Sequence, residues 1–171
     1  MGSTFTANII SAIASIFHIS SSSFKKKNTM LIMQSIGCII DGIAEIMANS
    51  MSAAAQLFVC SIKNFVTTKE KTPKYVYYIF SLFFIIFGLY FNNRGLIGIL
   101  PIIATVQYTL WNGYSKSAQT TRYGMLINYG IWIVHDLYIQ LYVAVIVTVI
   151  SSIVVIINII RYRKTNEKTP S

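Results

Sequence analysis

Few residues of this chain can do proton or hydrogen-bond chemistry, and most of them stand at helical spacing. Gln34, Cys38, Asp41 and Glu45 recur every three or four residues, so on a helix they share one face. Asn128, Trp132, His135 and Asp136 form a second such face. Two carboxyl groups and an imidazole can carry or gate a proton, and amides beside an indole can hold a polar solute. No Gly-rich phosphate loop, nucleophile elbow or His-Glu-x-x-His helix accompanies them. The expectation is therefore a site without catalysis, cofactor or metal.

The elements that must position these residues follow from composition. Of 171 residues, 54% are hydrophobic and 11% charged, with mean hydropathy +0.60, where a soluble domain carries about 25% charge. A soluble globular domain is excluded. Two distant cysteines make neither a disulfide framework nor a zinc site. Apolar runs of about 20 residues mark membrane helices, and the segments do not alternate as barrel strands would. Seven spans are expected, at 5–24, 29–47, 51–66, 75–91, 95–112, 123–140 and 142–161. The first and third are the weakest, and the turn near Gln140 has no Gly or Pro.

The basic residues supply topology. Of the 14 Lys and Arg, all but Arg94 fall on one face: Lys25, Lys26 and Lys27 after the first span; Lys63, Lys69, Lys71 and Lys74 at the end of the third and beyond it; Lys116 and Arg122 after the fifth; then Arg161, Arg163, Lys164 and Lys168 at the tail. Short cytoplasmic loops retain such charge. The expectation is an N-terminus outside and a cytoplasmic tail at 162–171. The net charge of +9 is thus read as topology, with the lipid bilayer as partner and no nucleic acid.

The fourth span is aromatic and apolar all round, while the other six each carry polar residues. A lipid-facing linker at 75–91 would join two triplets, 5–66 and 95–161, related as a parallel repeat. Gln34 with Asn128, Asp41 with His135, and Asn64 with Asn158 are each 94 apart, and Ile13-Ala14-Ser15-Ile16 matches Ile103-Ala104-Thr105-Val106 at 90. Within this frame Glu45 reaches water at the outer helix end. Asp41 is deeper, where it lines a cavity, ends in solvent, or pairs with another helix, for instance through His135. Trp132 lies near the midplane, Trp111 near an interface. Asn64 and Asn158 sit in last helical turns, where helix-end hydrogen bonding competes with a binding role. His18 reads as an interhelical donor, and the small residues Ser11, Ser15, Ser151 and Ser152 as close-packing positions.

The stretch from Gln34 through Ser50-Met-Ser-Ala-Ala-Ala-Gln-Leu-Phe-Val-Cys-Ser-Ile-Lys-Asn64, with Arg122, Trp132, Asp136 and a last helix ending Ile-Ile-Arg161-Tyr-Arg163, resembles the YgjV-type bacterial inner-membrane proteins. That family implies a location in the inner membrane and no particular activity. The layout of two triplets around a linker also resembles PQ-loop and SWEET-like sugar transporters and the PnuC-type vitamin transporters. The Pro-Gln pair of that class is missing, since Pro101 is followed by Ile102. The resemblance implies a midplane site: Trp132 stacking on a small polar solute, Gln34 and Asn128 bonding it, Asn64 and Asn158 as the paired asparagines. Asp41, His135 and Asp136 would gate it or couple a proton. A non-transporting interaction or assembly protein is the rival, and a second copy of the chain is a possible partner.

The charge segregation is tested by single-cysteine labelling in intact cells after the native cysteines are removed. Cysteine at Lys71 should be protected from an impermeant reagent and cysteine at Arg94 labelled; labelling of both from one side refutes seven spans.

Overall fold

A computed structural model describes residues 2–68 and 72–167, with side chains at 5–68 and 72–162. The described residues fold into seven α-helices, α1 (Gly2–Ser23), α2 (Lys27–Met47), α3 (Met51–Val66), α4 (Lys74–Tyr90), α5 (Leu100–Tyr114), α6 (Ala118–Tyr138) and α7 (Tyr142–Glu167), plus a 3-10 turn at Ile97–Ile99 ahead of α5. No strand occurs among them. Three helices, at Phe5–Ser23, Lys27–Met47 and Tyr142–Tyr162, are long and apolar enough to cross a bilayer. With 16 and 15 residues, α3 and α5 rise only about 22 to 24 Å. Hydrocarbon is about 30 Å thick.

Three boundaries differ most from the expected spans: the span expected from 95 becomes α-helix only at Leu100, after the 3-10 turn, and the other two have local reasons. Helix α6 starts at Ala118 rather than 123, because the Ser117 hydroxyl accepts from the Thr120 amide and caps it. Helix α7 runs on to Glu167, through the start of the segment expected to be a tail. Lys69 and Lys71, the Arg163 and Lys164 side chains, and Lys168 lie outside what is described.

Neighbouring helices close a ring in the order α1, α2, α3, α5, α6, α7 and back to α1. Helix α4 is outside it, packed only on α3, α5 and the 3-10 turn. Its buried residues, Tyr77, Ser81, Phe84 and Gly88, form one stripe. The rest of its surface is exposed and apolar, including Leu82, Phe83, Ile86 and Leu89. Gln56 of α3 fastens this seam: its amide donates to the Phe84 carbonyl of α4 at 2.8 Å and its carbonyl accepts from Thr105 of α5.

Hairpins α2–α3 and α6–α7 close with the same turn. Ser50 N–H donates to the Glu45 carbonyl and Leu141 N–H to the Asp136 carbonyl, both at 2.9 Å. Asn49 and Gln140 take the left-handed conformation, with φ of 57° and 65°. That is the geometry that ends a helix without glycine when the terminal carbonyls are captured, and it explains how the Gln140 turn forms.

Basic side chains bond the carbonyls at the ends of α1, α2 and α5. Lys27 donates to the Asn112 and Ser115 carbonyls at the end of α5, at 2.8 and 2.7 Å. Arg122 donates to the Ser22 and Phe24 carbonyls at the end of α1, at 3.1 and 2.9 Å. Arg94 reaches the Ala48 and Asn49 carbonyls after α2. Arg122, expected in a loop, is instead 2% exposed, its guanidinium stacked on Tyr162.

A Cβ added at Gly88 would stand 2.4 Å from Ile102 and 2.3 Å from Gln56, whereas one at Gly130 meets nothing within 4 Å. Gly88→Ala should therefore lower stability by about 1 to 3 kcal/mol, and Gly130→Ala should not lower it. Thermal unfolding of both variants in detergent measures the contrast.

Candidate functional site

Six polar-striped helices meeting in a ring leave one interior where their stripes face each other. A cavity lies there, with about 80 Å³ open to the centre of a water-sized sphere. Its wall takes residues from α1, α2, α3, α5, α6 and α7, and none from α4.

Gln34, Asp41, Asn64, Asn128, Trp132 and Asp136 all reach this wall. Gln34 is already engaged: its carbonyl accepts from the Tyr108 hydroxyl at 3.0 Å and its amide approaches the Met125 sulfur at 3.6 Å. Asn64, the Asn128 carbonyl and the Tyr129 hydroxyl are buried without a hydrogen-bond partner. These unspent groups are where a polar solute gains most, since a buried donor or acceptor left alone costs about 1 to 3 kcal/mol. Tyr108 and Tyr129 were not singled out from sequence. A signal was available for Tyr129, three residues before Trp132, whereas no site residue was expected on the helix that carries Tyr108.

Asn158 is not on the wall. Its amide donates to the Ser22 carbonyl at 3.2 Å and so helps to end α1. His135 is also off the wall, fully buried behind it. Cys38 and Cys60 are brought together from α2 and α3 as free, buried thiols on the cavity wall.

Acidic groups gather at the end of the ring away from Lys27 and Arg122. Asp41 does not pair with His135. It accepts from Ser11 at 2.7 Å and stands 3.8 Å from the His18 Nε2, both on α1. His18 can lie there because Gly37 leaves the space: a Cβ would meet its ring at 2.8 Å. His135 instead bonds its neighbour Asp136 through Nδ1 at 2.9 Å, and its Nε2 lies 3.2 Å from the Ser50 hydroxyl. Its ring meets the Trp132 indole edge-on at 5.4 Å.

Glu45 departs furthest from expectation. Rather than reaching water it is 2% exposed, because the α2–α3 turn folds Ser50 back over it and α6 covers the other side. One ligand atom each from Glu45, His135 and Asp136 lie within 4.8 Å of one another, and Glu45 Oε2 has no hydrogen-bond partner. Two buried carboxyl groups this close need a shared proton or cation. A divalent ion could use the same oxygen and nitrogen donors.

An all-helical membrane protein with a polar cavity inside a ring of helices is the class these features define. The chain belongs to the YgjV family of bacterial inner membrane proteins, whose profile matches residues 5–166. No curated protein and no solved structure matches it.

Loss of the Asp136 carboxylate removes a charge-assisted bond to a buried imidazole, which costs about 1.5 to 3 kcal/mol. Glu45 Oε2 gives up no such bond. Asp136→Asn should therefore unfold at a lower temperature than Glu45→Gln; the reverse order would show Glu45 to be the more firmly bound carboxyl.

Proposed function

We propose that the chain is a small-solute permease of the SWEET-like class, with its site between helices α1 to α3 and α5 to α7. The observation that carries this reading is the central cavity, walled by all six helices and holding unpaired groups on Asn64, Asn128 and Tyr129. A protein built only for helix packing has no use for buried amides without partners.

The division into triplets gains support from reciprocity. A twofold along the ring axis would exchange α1 with α5, α2 with α6 and α3 with α7, and the ring order maps onto itself under that exchange. Lys27 at the start of α2 ends α5, as Arg122 near the start of α6 ends α1. Asn49 and Gln140, at equivalent points of identical turns, are 91 apart. That register pairs Glu45 with Asp136, so the hairpins favour a spacing of 91 over 94. Helix α4 is then the peripheral linker, and the Lys27 and Arg122 end is the cytoplasmic one.

In this mechanism the solute sits against Trp132, bonded by Asn64, Asn128 and Tyr129. Gln34 positions Tyr108 rather than meeting the solute with its carbonyl. Asp41 with His18, and Asp136 with His135 and Glu45, close the opposite end as a proton-bearing pair and a proton-bearing triad.

Uptake of labelled small polar solutes into proteoliposomes tests the reading. Trp132→Ala should reduce uptake at least about tenfold, with helix content and insertion unchanged, while Asn158→Ala, off the wall, should retain it. Equal uptake by Trp132→Ala and the parent protein would remove the site from this cavity.

A further inference from the structure

Every cation that the fold draws inward has an evident employer except one. Lys27, Arg94 and Arg122 each end on helix carbonyls. Lys63 ends on none. Its side chain is fully buried, its Nζ makes no hydrogen bond, and it rests 5.2 Å from the centre of the Tyr108 ring. The ion pairs among the described residues involve only His18 with Asp41 and His135 with Asp136, so no carboxylate compensates it. Sequence placed Lys63 at the end of the third span among the topology-setting charges; the fold puts it inside the bundle.

Its surroundings are those of a host rather than a packing contact. Asn64 beside it, and Asn112 and Thr109 on α5, are at most 1% exposed, and their side-chain polar atoms also lack partners. Tyr108 and Asn112 are one turn apart, so they share the face of α5 that Lys63 meets. Lys27 adds a second ammonium close enough to repel Lys63. Asn64, Cys60 and Tyr108 lie on the cavity wall, while Lys63 and Asn112 stand off it, Lys63 against the Tyr108 ring. A face-on aromatic is worth about 2 kcal/mol to a desolvated cation, less than the several kcal/mol that burying an ion costs.

We propose that Lys63, Asn64 and Asn112 form an oxyanion site at the basic end of the cavity, taking the carboxylate or phosphate of a small solute. The ammonium supplies charge and the amides supply donors. This deepens the permease reading by giving the solute an acidic group, and it rests on that reading for the identity of the occupant. It also distinguishes the two ends of the cavity: an anion is held at Lys63, while Asp41 and Asp136 at the far end favour a cationic group or a proton.

The test is isothermal titration of the purified full-length protein in detergent with inorganic phosphate and with succinate, at constant ionic strength and against chloride. At least one probe should bind, Lys63→Arg should retain binding, and Lys63→Met should lose at least about tenfold in affinity, the share of a charge-assisted bond. Without anion, Lys63→Met should fold and melt no lower than the parent, because it removes an uncompensated charge. Binding of neither probe, equal binding by Lys63→Met, or a misfolded Lys63→Met overturns the proposal. Phospholipid that co-purifies with the parent and not with Lys63→Met overturns it in favour of a lipid headgroup. Anion binding without uptake of any solute sinks the permease alone, and uptake of neutral solutes without anion binding sinks this site alone.

Discussion

The last carbonyls of a helix have no partner within it, and in a membrane no water reaches most of them. In this protein the basic side chains meet that need. Lys27 reaches across from α2 to the end of α5, Arg122 from α6 to the end of α1, and Arg94 to the end of α2. Each bond ties two hairpins together, since donor and acceptor belong to different parts of the chain. Asn158 and Tyr162 of α7 add donors to the Ser22 and Ser23 carbonyls, so closure of the ring at α1 and α7 draws on the same need.

Once the helix ends are fixed in this way, the side-chain stripes have only one place to go. Ser11, Gln34, Asn64, Thr105, Asn128 and Ser151 turn inward, and isoleucine, valine and phenylalanine cover the outside. Helix α4 has no polar stripe to hide, and it attaches from outside through Gln56 and the space left at Gly88. The cavity is therefore the remainder of a packing problem. Serines and alanine supply much of the α1 and α7 wall, where larger side chains would fill it.

Function depends on how unevenly that remainder is satisfied. Some inward polar groups spend their bonds on the fold, as Gln34 does with Tyr108 and Asp41 with Ser11. Others, among them Asn64, Asn128, Asn112 and Lys63, keep theirs unspent. Acid collects at one end, where Arg94 caps α2, and Lys27, Lys63 and Arg122 gather at the other.

Composition and periodicity by themselves determined seven helices, the bounds of α3, the outlying character of α4 and the inward face of α2 and α6. These follow from local rules, because the hydrophobic run and the helical period act within one segment. What each polar residue does was decided elsewhere. Glu45 is buried only because a turn five residues on folds over it and α6 covers it, and Asp41 meets His18 rather than His135 because Gly37 admits a ring from α1. Cys38 and Cys60, far apart in sequence, become neighbours when α2 and α3 pair. Lys63 and Arg122 carry the same sign and look alike as topology-setting charges, yet Arg122 ends a helix and Lys63 makes no hydrogen bond. That difference lies in the positions of helix termini from distant parts of the chain, which only the closed ring brings within hydrogen-bonding reach.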